Sequence, residues 1–122
     1  MRARQASDGL DVVAEALSLV ESTGERWFEA ELHRVRGEVL LQSAEPEWAR
    51  AEECFRQAIT VAQGQQAKLW ELRAATSLAR LWRDQDRRAE AHDLLAPVYS
   101  WFTEGFDTQD LKDAKALLDE LR

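Results

Sequence analysis

The chain has 122 residues, 45% of them hydrophobic, with five tryptophans and four phenylalanines, enough to close one domain's core without disulfides or metal. A formal charge of −7 and a pI near 4.9 argue against a nucleic-acid partner, because binding to a phosphate backbone draws on clustered Lys and Arg. The single cysteine, Cys54, excludes an internal disulfide framework and fits a reducing cytosol, while no apolar run of signal-peptide length follows Met1-Arg-Ala-Arg and none approaches the roughly 18 residues of a membrane span. The expectation is a soluble, cytoplasmic chain with no nucleic-acid and no membrane partner.

Five glycines and two prolines punctuate a sequence that otherwise reads as helix. A first helix is predicted over about 7–23, capped by Ser7 or Asp8 and stopped at Gly24. A second covers about 25–43. Pro46 suits the first turn of a third, 46–63, where its missing N–H is no loss, and Gly64 closes that helix. The fourth runs over 67–83. Asp86 can cap the fifth, 87–103, which carries Pro97 well inside it, predicting a kink between Asp93 and Pro97 before Gly105 ends it. Asp107 caps the sixth, 108–121, whose Leu111, Ala114, Leu118 and Leu121 form one apolar stripe under a charged outer face.

These helices repeat. Gly9 to Leu17 aligns with Ala51 to Ile59 and with Ala91 to Tyr99, each with a small residue first and apolar residues at the fifth and eighth places. Trp27 to Gly37 likewise precedes Leu69 to Ala79 by 42 residues. A two-helix unit of about 40 residues is the signature of an α-solenoid, in which each unit leaves an apolar face for its neighbour to cover. Small residues mark the closest helix approaches, so Gly37 is expected against Ala51, and Ala79 against Ala91.

The pairs resemble the tetratricopeptide repeat. Leu78, Ala79, Trp82, Ala91, Leu95 and Val98 fall at its signature spacing, as do Gly37, Leu40, Trp48, Ala51, Phe55 and Ala58. The chain departs from the pattern in a longer connection around Ser43 to Pro46, and in Arg36 and His33 at places the family keeps apolar. The segments Leu72 to Trp82 and Trp101 to Leu111 look more specifically like the C-terminal region of large bacterial signalling proteins, in which a nucleotidyl-cyclase or DNA-binding module precedes an ATPase-like domain and a tetratricopeptide-like array. The resemblance implies an all-α, right-handed superhelix of about two and a half repeats with a C-terminal capping helix. It implies a protein-interaction or regulatory scaffold, with any cyclase or ATPase chemistry in the parent's other domains.

Arrays of this family bind a protein or peptide along the concave side, lined by the first helix of each pair. The resemblance places there Glu31, Arg34, Glu38 and Leu41 on the second helix, and Arg73, Thr76, Arg80 and Arg83 on the fourth. An arginine-rich strip can hold carboxylates in bidentate fashion. The same alignment sets Glu31 opposite Arg73 and Glu38 opposite Arg80, so these residues either pair across helices or receive a partner, and the two are not exclusive. Arg83 faces Leu41 in this register and has no acidic counterpart.

His33, His92 and Cys54 lie on three different helices without zinc-site spacing, so neither metal nor cofactor is expected. The set Glu21, Glu25 and Glu29 and the acidic residues from Asp110 to Asp119 read as solvated faces, and no phosphate loop, nucleophile elbow or metalloprotease motif occurs, so no catalysis is expected. Trp48 and Trp82 read as packing residues. A last expectation concerns the first helix. It is the second member of a pair without its first, and Leu10, Val13, Leu17 and Val20 form an apolar stripe suited to a preceding helix or to a second copy, which makes self-association the alternative function.

Overall fold

The computed structural model describes residues 2–23, 28–42, 45, 47–104 and 108–121, and among them every regular element is helical. In chain order these are α1 (Arg2–Thr23), α2 (Glu29–Leu41), α3 (Trp48–Gly64), α4 (Lys68–Asp84), α5 (Arg88–Ser100) and α6 (Gln109–Leu121). No helix among the described residues is long and apolar enough to cross a membrane.

Helix ends differ from the sequence expectation where local signals compete. α1 begins at Arg2, so Ser7 and Asp8 lie inside it rather than at its start; Ala3, Arg4, Gln5 and Ala6 are strong helix formers. Gly64 is the last helical residue of α3, but the chain turns two residues later at Gln66, whose φ is 56°. The N–H of Ala67 donates to the carbonyl of Ala62 at 2.9 Å, closing a left-handed C-terminal motif. Twenty residues on, Asp86 has φ 61° and the N–H of Arg87 donates to the carbonyl of Trp82 at 2.7 Å. Asp86 is therefore the pivot of the α4–α5 turn rather than a cap of α5. α5 accommodates Pro97 and ends at Ser100, three residues before the expected 103. The expected signals at Gly24, Pro46, Gly105 and Asp107 lie outside the described residues.

Each helix packs on its neighbours in sequence, and α4 additionally approaches α2 and α6, whereas among the described residues the backbones of α1, α3 and α5 do not come close to one another. The helices thus separate into one set of α2, α4 and α6 in mutual succession, and another of α1, α3 and α5 behind it. Two ion pairs join α4 to α6 with the same separation of 37 residues, Arg73 with Asp110 and Arg83 with Glu120, so these two helices run parallel. α4 is the centre. Leu72, Ala75, Leu78, Ala79, Leu81 and Trp82 from it join Leu40, Ala51, Phe55, Ala91, Leu95 and the α6 stripe in one buried cluster. That stripe holds Leu111, Ala114, Leu118 and Leu121 as expected, with Leu117 added.

The close approach at Gly37 is made to a different residue from the one expected. A Cβ there would stand 2.5 Å from Phe55 Cε1, so the ring of Phe55, one turn beyond Ala51, is what the missing side chain admits. Phe55 is fully buried and cannot swing aside. Ala79 and Ala91 are both fully buried within the same cluster.

Urea unfolding of four variants checks these placements. Gly37→Ala should destabilise by about 1 to 3 kcal/mol through overpacking, whereas Gly64→Ala, with nothing within 4 Å of the added carbon, should be neutral or stabilise by up to about 1 kcal/mol. Gln66→Gly should stabilise by up to about 1 kcal/mol, the relief of a left-handed side chain less glycine's entropy cost, and Asp86→Gly by less because Asp tolerates that conformation.

Candidate functional site

The set α2, α4 and α6 presents a groove of about 210 Å3, lined by Arg34 from α2, Arg73, Thr76, Ser77 and Arg80 from α4, and Asp110 and Asp113 from α6. The helical spacing of these positions on each helix turns them to one side, while the small and apolar residues between them on α4 enter the core. Four of the eight residues expected on the concave strip line this groove: Arg34, Arg73, Thr76 and Arg80.

The charges are largely answered within the molecule. Glu31 Oε1 accepts from Arg34 and lies 3.7 Å from Arg73 Nη1, so the pairing of Glu31 with Arg73 across α2 and α4 is present. The second oxygen of Glu31 is buried without a hydrogen-bond partner. Glu38 does not meet Arg80; its carboxylate lies 3.8 Å from Arg34 on its own helix. Arg73 Nε donates to both oxygens of Asp110, at 3.0 and 3.1 Å. Arg83, expected to lack an acidic counterpart, donates from Nη1 to Glu120 at 2.7 Å and from Nε to Asp84 at 3.1 Å; its partner comes from α6 rather than α2. The Glu120 hydrogen bond is the main reason the Arg83 guanidinium is held even more firmly protonated than usual. Thr76 is buried and its hydroxyl donates back to the Leu72 carbonyl at 2.8 Å. Leu41 is half-buried and packs on the core. Arg80 is exposed and forms no ion pair or hydrogen bond among the described residues.

Of the stripe assigned to self-association, Leu10 and Val13 face inward instead. α1 packs on α2, with Gly9 so close to Val39 that a Cβ would sit 3.2 Å from it; Leu10 packs on the core and Val13 is only 5% exposed. Leu17 is half-buried, and the side chain of Val20 lies outside the described residues. Among the described residues the large apolar side chains that α1 turns outward are Val12 and Leu19.

A second cluster was also missed. Glu52 on α3 accepts from Trp82 Nε1 at 2.9 Å and from Arg87 Nη1 at 3.1 Å through one oxygen, and from Arg56 Nε at 3.1 Å through the other. The guanidiniums of Arg56 and Arg87 both stand over the Trp82 indole, 5.3 and 4.6 Å from its centroid. Burial opposes the charge on Glu52, but these hydrogen bonds outweigh it and hold the carboxyl below the usual carboxylate range. Trp82 and Arg87 lie 30 and 35 positions from Glu52, so the only part of the cluster with a short-range pattern is the Glu52–Arg56 pair, one helical turn apart.

His33 is buried beside Glu29, its Nε2 3.5 Å from the carboxylate, and its Nδ1 has no partner. Cys54 is buried, which pushes its thiol pKa up. Among the described residues no group of three or more potential ligands could hold a metal ion. The groove can therefore bind and orient charged groups, and its residues offer no nucleophile paired with a base. In comparison with known proteins, no family model, no curated protein and no solved structure matches the chain.

Because the folded Glu52 carboxyl ionises below its unfolded counterpart, its stabilisation is complete above the unfolded value and disappears as pH falls through the folded one. Glu52→Gln should lower the thermal midpoint at pH 7 and flatten its decline between about pH 5 and pH 3, the window in which carboxylates titrate. Thermal scans across that range check both effects.

Proposed function

We propose that the chain is a non-catalytic interaction module, a right-handed tetratricopeptide-like solenoid of about two and a half repeats closed by α6, which receives a protein segment in the α2–α4–α6 groove. The observation that carries this reading is the succession of α2, α4 and α6, cross-linked by ion pairs 42 residues apart from α2 to α4 (Glu31 with Arg73) and 37 residues apart from α4 to α6 (Arg73 with Asp110, Arg83 with Glu120). Offsets near the roughly 40-residue length of a two-helix unit between alternate helices are what stacking of such units produces, and stacking leaves one open, side-chain-lined face. The resemblance of the sequence to the C-terminal region of bacterial signalling proteins supports a parent carrying nucleotidyl-cyclase or ATPase domains in the cytoplasm, whose activity this module would couple to a partner.

The test is selection of a displayed random-peptide library on the immobilised chain. Arg80→Glu breaks no internal contact and should weaken selected peptides roughly tenfold or more, about 1.4 kcal/mol, while Lys112→Glu with Lys115→Glu on the outer face of α6 should leave them nearly unchanged. Added salt should weaken binding, since exposed charges are screened over about 8 to 10 Å. Equal effects of the two variants would remove the groove from the reading.

A further inference from the structure

The groove holds one cation and one anion that nothing among the described residues neutralises. On α4, Arg73 and Arg83 each find a carboxylate 37 residues ahead on α6. In that register Arg80 meets Leu117, which is buried in the core. On the other side, 42 residues back, stands Glu38, which is turned to Arg34. Arg80 is left exposed and unpaired among the described residues. The same register puts Asp113 level with Thr76, whose hydroxyl is committed to the Leu72 carbonyl. Asp113 accepts one hydrogen bond, from Gln109 Nε2 at 2.7 Å, and has no cationic partner among the described residues. Both side chains line the same groove and do not pair with each other.

We propose that the groove is specific for a dipolar segment of a partner polypeptide, with an Asp or Glu carboxylate for Arg80 and, within a few residues of it, a Lys or Arg for Asp113. The inference rests on reading the groove as an interaction surface and adds the chemistry of what enters. A purely acidic segment would satisfy Arg80 but carry its remaining charges against Asp110 and Asp113. A purely basic one would meet Arg34, Arg73 and Arg80. A phosphorylated side chain fares no better than an acidic one, because Arg34 and Arg73 are already engaged with Glu31 and Asp110 and no cluster of free guanidiniums remains to receive a dianion. A segment bearing both signs answers both free groups without displacing an existing pair, and electrostatic complementarity of this kind sets register and direction along a groove.

The experiment sequences the peptides selected from a random library on the native chain and on Arg80→Gln, Asp113→Asn and the exchange variant Arg80→Glu with Asp113→Lys. Neither residue has an ion-pair partner to lose, and thermal midpoints confirm that the variants fold. The proposal expects selected peptides to carry an acidic and a basic residue in a constant order, either single neutralisation to weaken a synthesised representative tenfold or more, and the exchange variant to select the reverse order. Purely acidic peptides insensitive to Asp113→Asn would overturn this inference and leave the interaction surface standing. Failure to recover any peptide dependent on Arg80 would overturn both.

Discussion

The structure depends on α4 being buried from several sides at once. Ten of its seventeen residues are buried, and it touches α2, α3, α5 and α6. A helix can have so many neighbours only if small side chains let their backbones come near. The run Ala74-Ala-Thr-Ser-Leu-Ala79 supplies them, with Leu72, Leu78 and Leu81 filling the spaces between. Polar members of that run must be satisfied locally, which is why Thr76 bonds back to its own helix. The arginines of α4 have one direction left, and they emerge between α2 and α6. The charged groove is thus a consequence of the same packing that makes α4 the core.

Two devices hold the helices around α4 in place. One is the pair of left-handed turns at Gln66 and Asp86, which join α3 to α4 and α4 to α5 with equivalent hydrogen bonds and so set similar geometries on both sides. The other is the Glu52 carboxylate, which ties α3 to the end of α4 through Trp82 and to the following turn through Arg87. A half-buried carboxylate accepting several charge-assisted hydrogen bonds is expensive to leave unpaired, so it favours one arrangement of the three segments over alternatives of equal apolar burial. Arg87 is also bound to Glu90 at 2.7 Å, which extends the network into the first turn of α5.

In the groove the balance of charge matters more than its amount. Arginine side chains there would attract any anion if they were free, but Glu31, Asp110 and Glu120 have taken most of that capacity. Exposed pairs of this kind contribute little to stability individually, about 0 to 1 kcal/mol each. On the proposed reading of the groove their larger effect is on selectivity, because a ligand would have to match what remains uncompensated. Arg80 and Asp113 are what remains.

The local pattern of the sequence determined that the chain is helical, where most helices lie, and which face of α6 is apolar, because these follow from period and propensity over a few residues. It also determined the 42-residue offset that brings Glu31 to Arg73. It did not determine which face of α1 would be covered: Leu10 and Val13 read as a surface awaiting another chain, yet α2 covers them. Nor did it show that Phe55 rather than Ala51 fills the space at Gly37, or that Glu120 rather than an α2 residue would answer Arg83. The last of these outcomes turns on the offset between helices that are not adjacent in sequence, and that offset is 42 residues from α2 to α4 but 37 from α4 to α6. A shift of five residues is more than one helical turn, which changes every side chain brought face to face. Only the packed structure decides that register, because it is set jointly by connection lengths and by the side chains that must interlock in the core.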